Sequence, residues 1–346
     1  MKKYIPIEKD SLQLSREKEF VHSKSQRLKD FYHDKEKYYS IDKNLLLPDV
    51  DIIFSLFIQK SLEFEPLLLA LENLPVGLTP EILGYEGNIL IKSSDIPLYE
   101  KYIKSLNGQN NNPNITSDNK NASLMKEKSK IIVKDMLEDP TNTQNIKKCG
   151  EVIEEMVYSI LNKKELFYNL ISIKSHDFYT YIHSVNVAVL SIGLGIAAHL
   201  SNEDIYNIGI GALLHDIGKC TVPPEILNKI GKLTSTEYKI MKNHVIEGEK
   251  ILKKHPNFPE AALTAITQHH ERLSGKGYPL NLTGANISVF GKITAVTDCY
   301  DSLTTPRLDK PALTPFEALS ILVHECEHYD SDLLKTFIKL IGGIQQ

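Results

Sequence analysis

Leu213-Leu214-His215-Asp216-Ile217-Gly218-Lys219 sets an imidazole beside a carboxylate at the end of an apolar run. A lone histidine there reads most simply as a core residue bonded to a carbonyl. Asp216 resists that reading, because carboxylates among apolar neighbours are rare without a partner. Other histidines stand in similar settings. His183 is one; His244 lies at helical spacing from Ile240, Met241 and Gly248; His269 and His270 follow the apolar run that begins at Ala261. Asp298 follows another apolar run, ending at Val296. Together these residues offer five imidazoles and two carboxylates, read as lying on the helices of one all-α domain. Imidazole and carboxylate without thiolate suit iron, manganese or zinc better than magnesium or calcium. Seven donors exceed the needs of one ion, and two ions bridged by a carboxylate fit the number better.

The stretch Leu213–Lys219 resembles the signature of HD-domain phosphohydrolases. His269-His270-Glu271-Arg272-Leu273-Ser274-Gly275-Lys276-Gly277-Tyr278-Pro279 resembles the defining element of the HD-GYP subfamily, whose members degrade cyclic di-GMP in bacteria. The resemblance runs from about Tyr179 to Lys310. It implies two divalent ions, iron or manganese foremost. One would be held by His183, His215, Asp216 and Asp298, the other by His244, His269 and His270, with Asp216 bridging both. Two metals about 3.5–4 Å apart can share a hydroxide and place it in line with a phosphodiester phosphorus. The resemblance further implies that Lys219 acts with Asp216 in catalysis, stabilising the phosphate or assisting the leaving group. Asp301 would support a ligand or handle a proton. Arg307 and Lys310 would grip substrate phosphates, and Tyr278 and Gly277 would meet the substrate from the loop. Three departures stand out. Ser274 replaces an aspartate before the glycine, Arg307-Leu308-Asp309-Lys310 replaces Arg-Pro-Tyr-Lys, and Tyr179 stands where some members carry a glutamate for a third ion. A two-metal site follows, with a third ion left open.

The implied activity is hydrolysis of cyclic di-GMP to pGpG, with onward cleavage to GMP as an option. Three alternatives stay open: a weakly active cyclic di-GMP sensor, an enzyme for another cyclic dinucleotide such as cyclic GMP-AMP, and a general HD nucleotidase.

Outward from this region, Asn107–Asn121 carries seven asparagines and almost nothing apolar, so it reads as a linker over 107–121. Before it, over 1–106, Asp51–Phe57 and Asn88–Lys92 look like strands of a small α+β domain, with a helix start at Thr79-Pro80-Glu81. That domain is expected to be regulatory, offering a surface to signalling proteins. After the linker, connector helices over 122–172, broken near Pro140, lead into the HD-GYP domain over 173–346 and suggest a homodimer. Capping boxes mark helix starts at Thr234–Glu237 and Thr314–Glu317, with a weaker one at Ser201 and Asp204.

Composition narrows the function further. A formal net charge of -4 gives no chain-wide field for DNA or RNA. The most apolar stretch, Val185–Leu200, is interrupted by polar residues and is too short to span a bilayer, so a buried helix and a cytoplasmic address are expected. The four cysteines form no CxxC pair. His324-Glu325-Cys326-Glu327-His328 matches HExxH, but neither His nor Glu follows as a third ligand, so a protease is set aside.

Overall fold

The computed structural model describes residues 38–48, 50–60, 63–71, 74–106, 117–173, 179–229, 231–306 and 311–343, apart from the side chains at 117, 179 and 180. Arg307, Lys310 and the side chain of Tyr179 therefore lie outside the described residues. The chain divides into two units at Leu106/Asn107.

The first unit is a four-stranded antiparallel sheet with helices. Its strands are β1 (Tyr38–Ile41), β2 (Leu56–Lys60), β3 (Glu63–Leu68) and β4 (Ile89–Lys92), in the order β1-β4-β2-β3. Tyr38 pairs with Lys92, Phe57 with Leu90 and Lys60 with Glu63. The strand expected over Asp51–Phe57 begins only at Leu56. Ile52, Phe54 and Leu56 do alternate into the core, yet Ile52 makes just an isolated bridge to Val76, so burial starts before the ladder does. Helix α1 (Pro80–Leu83) starts where expected, but the Thr79 side chain makes no capping bond to its backbone. Helix α2 (Ile96–Ser105) buries Tyr99 and Tyr102 edge-on against Phe54. The Tyr102 hydroxyl donates to Leu45 O at 2.8 Å and accepts from Leu47 N at 3.0 Å, which satisfies a buried polar atom.

The second unit is helical. It runs through α3 (Ser117–Glu138), α4 (Thr143–Asn162), α5 (Lys164–Ser172), α6 (Tyr179–Ala197), α7 (Asn202–Leu213), α8 (Pro224–Leu227), α9 (Ser235–Lys242), α10 (His244–Leu252), α11 (Glu260–Gln268), α12 (Val289–Thr304), α13 (Pro315–His324) and α14 (Ser331–Gly342). Helix α3 begins inside the stretch read as linker. Its asparagines at 119 and 121 join the first turn because Ala122, Leu124 and Met125 directly behind them are buried. The break near Pro140 is present, and Asn142 caps α4 by accepting from Gln144 N at 3.0 Å.

One continuous core draws on Met125 and Met136 of α3, Ile153 and Met156 of α4, and Leu334 and Phe337 of α14, packed around α6, α7 and α12. The expected connector helices thus belong to the body of the unit. Lys126, 3% exposed, ties α3 to the end of α5 by donating to Leu170 O and Ile173 O at 3.0 and 2.7 Å. Both capping boxes form, at Thr234–Glu237 and Thr314–Glu317. Among the described residues no helix is long and apolar enough to cross a membrane.

Candidate metal centre

The seven donors converge. His183 comes from the first turns of α6, Asp298 from the middle of α12, and His244 is the first residue of α10. His215 and Asp216 follow the end of α7, while His269 caps the end of α11 and His270 follows it. The expectation that all lie within helices is therefore corrected: four of the seven stand at or just past helix C-termini. The helix expected through His244 also breaks at Asn243, leaving Ile240 40% exposed. Helix ends serve the centre because their last carbonyls are unpaired. His215 Nδ1 meets Ala212 O at 2.8 Å, His244 Nδ1 meets Met241 O at 2.7 Å and His269 Nδ1 meets Ile266 O at 2.7 Å. Each ring is thus held three residues after its acceptor, with the proton on Nδ1 and the Nε2 lone pair aimed inward.

His183 is held by a carboxylate instead. Its Nδ1 lies 2.7 Å from Asp301 Oδ2, and Asn186 Nδ2 and Thr305 Oγ1 donate to Asp301 Oδ1 at 2.8 and 2.9 Å. Both oxygens of Asp301 are engaged away from the centre. It positions His183, which is the first of the two roles expected of it, and neither oxygen is left facing the centre to handle a proton there.

The inward atoms crowd together. His183 Nε2 lies 3.1 Å from Asp298 Oδ1 and 3.8 Å from Asp216 Oδ2, and His215 Nε2 is 3.3 Å from the same Asp216 oxygen. The other oxygen of Asp216, Oδ1, faces His244 Nε2 at 3.3 Å. Asp216 thus turns one oxygen to each group of histidines, as a bridge would. His270 Nδ1 is 3.8 Å from Asp298 Oδ2. His244, His269 and His270 form one set with ligand spacing, and His183, His215 and Asp298 another.

Two features fit this set to cations. His215 Nε2 is buried and has no hydrogen-bond partner among the described residues. His244 Nε2 and His269 Nε2 stand 3.3 Å apart, so two lone pairs face each other unless a proton or a metal lies between them. A proton is disfavoured, because burial lowers the pKa of both rings, that of His269 far below the ordinary value. Burial also lowers His270, to about 3. The carboxylates behave oppositely. Burial works against ionising Asp216, but Lys219 and His215 outweigh it and hold the group well below the usual carboxylate range. Burial opposes ionising Asp298 in the same way, and His183 outweighs it. Burial also opposes charging His183, yet the bonds to Asp298 and Asp301 raise it to about 9. Neutral imidazoles at His244, His269 and His270, a proton on His183 that a cation beside Asp298 would displace, and two buried carboxylates are a donor set for divalent ions.

Lys219 Nζ lies 2.5 Å from Asp216 Oδ2, on a 3₁₀ turn over Ile217–Thr221. Gly218 lets that turn press on α10, since a Cβ there would strike His244 O and Gly248 N. Tyr278 stacks on His270, with ring centroids 4.5 Å apart and planes 29° apart. Gly277 is buried. A Cβ on it would lie 2.5 Å from Arg272 N and from Glu271 Cα, so a close backbone crossing requires glycine there.

Glu271, 1% exposed, received no role from the sequence beyond its place in the motif. Its two oxygens accept from Leu280 N at 2.7 Å and Leu282 N at 2.9 Å, pinning the loop that carries Tyr278. His328 is the other surprise. Helix α13 ends at His324, which is exposed, so the two histidines of the HExxH match do not share a helical face. His328 Nδ1 instead meets Ser274 Oγ at 2.8 Å, and its carbonyl accepts from Leu273 N at 3.0 Å. Ser274 is the position where the resemblance calls for aspartate, and a partner far along the chain fixes it here.

Comparison with known proteins follows the same lines. Residues 165–333 match the HD domain family. A cyclic di-GMP phosphodiesterase of Pseudomonas aeruginosa is 32% identical over 225 residues, 64% of this chain and 54% of that protein. A 3'3'-cGAMP-specific phosphodiesterase of Vibrio cholerae is 31% identical over 198 residues, 56% of this chain and 38% of that one. A cyclic di-GMP phosphodiesterase of Thermotoga maritima is 33% identical over 192 residues, 54% of this chain and 50% of that one. The chain spans about half the length of these relatives, or less. An HDG"Y"P protein from Bdellovibrio bacteriovorus shares the fold with a TM-score of 0.65 at 18% identity, over 88% of this chain and 99% of that one. Residues 165–333 thus carry an HD domain, with His215–Asp216 at its centre and Gly277–Pro279 in the loop beside it.

Proposed function

We propose that the protein is a metal-dependent phosphodiesterase that opens cyclic di-GMP to linear pGpG. The observation that carries this reading is Asp216, whose two oxygens face two separate histidine sets beneath the stacked His270–Tyr278 pair. Relatives over this region bear the names of cyclic di-GMP and 3'3'-cGAMP phosphodiesterases, which supplies the substrate class.

His183, His215, Asp216 and Asp298 would hold one ion, and His244, His269, His270 and the other oxygen of Asp216 a second. Iron or manganese suits these nitrogen and oxygen donors. When bound, the ions polarise the phosphodiester and make water a stronger nucleophile at neutral pH. The surrounding chain does the positioning. Carbonyls at 212, 241 and 266 and the Asp301 carboxylate fix four rings, so little reorganisation is needed as charge develops. Lys219, on the rim beside Asp216, is placed to offset charge on a phosphate oxygen or on the departing 3′ oxygen. Overall, water oxygen bonds to phosphorus, the P–O3′ bond breaks, and a proton reaches the 3′ oxygen.

A second reading takes 3'3'-cGAMP as substrate, favoured by a relative of nearly equal identity that bears that name. Turnover with Mn²⁺ or anaerobic Fe²⁺ tests both. Cyclic di-GMP should yield pGpG, and His269→Ala should remove at least two orders of magnitude of rate, within the range metal-assisted catalysis supplies. Faster cleavage of 3'3'-cGAMP would favour the second reading, and tight binding without any linear product would sink both.

A further inference from the structure

Among the described residues, the cations around the centre are mostly spoken for. Lys219 is committed to Asp216, Arg272 donates to His269 O and Glu271 O, Lys276 pairs with Glu327 and Lys229 with Glu237. Lys242 differs. It is the last residue of α9, two positions before the ligand His244, and among the described residues it has no carboxylate partner. Its Nζ lies 5.1 Å from the ring centroid of Tyr238 and 5.2 Å from that of Tyr278, so its ammonium rests between two aromatic faces. Tyr278 stacks in turn on His270, a member of one histidine set. The half-buried ammonium is therefore one aromatic ring removed from the metal centre, held in place without being neutralised.

A cyclic dinucleotide carries two phosphodiesters, each with one negative charge. The ions that the donor set would hold, with Lys219 beside Asp216 at their edge, can meet the one that is cleaved. The other enters the same cleft with a charge of its own. Arg307 and Lys310, expected to meet substrate phosphates, lie outside the described residues. Among the described residues, Lys242 is a cation beside the centre with no carboxylate partner. An ammonium on a four-carbon stem is a compact point charge suited to a phosphate oxygen, and cation–π contacts direct it without competing for that charge. We propose that Lys242, held between Tyr238 and Tyr278, binds the second, uncleaved phosphodiester of a cyclic dinucleotide. The proposal rests on the phosphodiesterase reading above.

The test compares cyclic di-GMP with bis(p-nitrophenyl) phosphate, which has one phosphodiester and no second, using the full-length chain loaded with Mn²⁺. In Lys242→Met the ratio of kcat/KM for cyclic di-GMP to that for the small diester should fall about ten- to hundredfold, the worth of one charge-assisted hydrogen bond. The loss should sit in KM, and Lys242→Arg should recover most of it. Equal losses on both substrates would mean that the lysine only holds the loop, and would overturn the proposal. So would an unchanged ratio, or a loss confined to kcat. The underlying reading fails separately: wild-type protein that cleaves the small diester but no cyclic dinucleotide removes the function assignment, and the role of Lys242 with it.

Discussion

Asp301 shows how much one residue can decide without touching the reaction. Its Oδ2 orients His183, and its Oδ1 is itself held by Asn186 and Thr305, so the ring cannot turn without breaking a buried network. Supports of this kind are typically worth about 10–100-fold in metal affinity or activity. Asp301→Ala should therefore lower metal affinity by about that factor while leaving the fold intact, read by metal analysis after dialysis against a graded chelator series. Full metal occupancy in the variant, matching wild type throughout the series, would show that His183 needs no such support. Asp301 could be picked out in the sequence because it lies one helical turn after Asp298, and support of a ligand was one of its two expected duties, but which ligand it serves was not legible. Three residues on α12 set Asp301 beside Asp298; only the approach of α6 reveals that one faces the centre and the other faces the back of a ligand. Five of the seven donors, His215, Asp216, His269, His270 and Asp298, were legible because they follow an apolar run where an unpartnered polar group would be costly, and His244 because it stands at helical spacing from apolar neighbours.

At the level of elements, what the sequence concealed is how the loop after α11 is fastened. Glu271 reaches forward to two backbone amides, nine and eleven residues on, and His328 reaches back across more than fifty to Ser274. Neither spacing belongs to a helix or strand period, so no periodic pattern could announce it. The capping boxes at Thr234 and Thr314 were readable because a cap is local, three residues wide. The two fasteners should differ in strength. Glu271 is buried and holds two part-buried amides, so removing it costs two charge-assisted hydrogen bonds, each worth about 1.5–3 kcal/mol before water at the amides offsets part of the loss. Its loop also carries Tyr278 onto His270. Glu271→Ala should thus lower the unfolding free energy by about 2–4 kcal/mol and cut activity on cyclic di-GMP more than His328→Ala does. The latter removes one neutral bond to an exposed serine and should cost about 1 kcal/mol or less. Urea midpoints for the pair decide it, and the reverse ranking would mean that the C-terminal corner, rather than Glu271, holds the loop.

For the molecule as a whole, the boundaries of a recognisable family segment and of a folding unit need not coincide. The family match covers residues 165–333, yet the core around α6, α7 and α12 also takes in Met125, Val133 and Met136 from α3 and Ile153, Met156 and Ile160 from α4. Beyond 333 it takes in Leu334, Phe337 and Ile341 from α14. Truncating a single buried Leu, Ile or Met to alanine typically costs about 2–5 kcal/mol, and a whole domain is stable by only about 5–15 kcal/mol. Losing α3, α4 and most of α14 together exceeds that margin several times over. The contact between α3 and the 3₁₀ turn bearing Lys219 carries the consequence to the active centre. A fragment covering 117–343 should therefore unfold cooperatively and take up metal like the full chain. A fragment trimmed to 165–333 should show helical but non-cooperative melting and expose apolar surface to dye. Circular dichroism melts and metal stoichiometry on the two fragments test this directly. A trimmed fragment that melts cooperatively and loads metal would show that α3 and α4 merely lean on a domain complete without them.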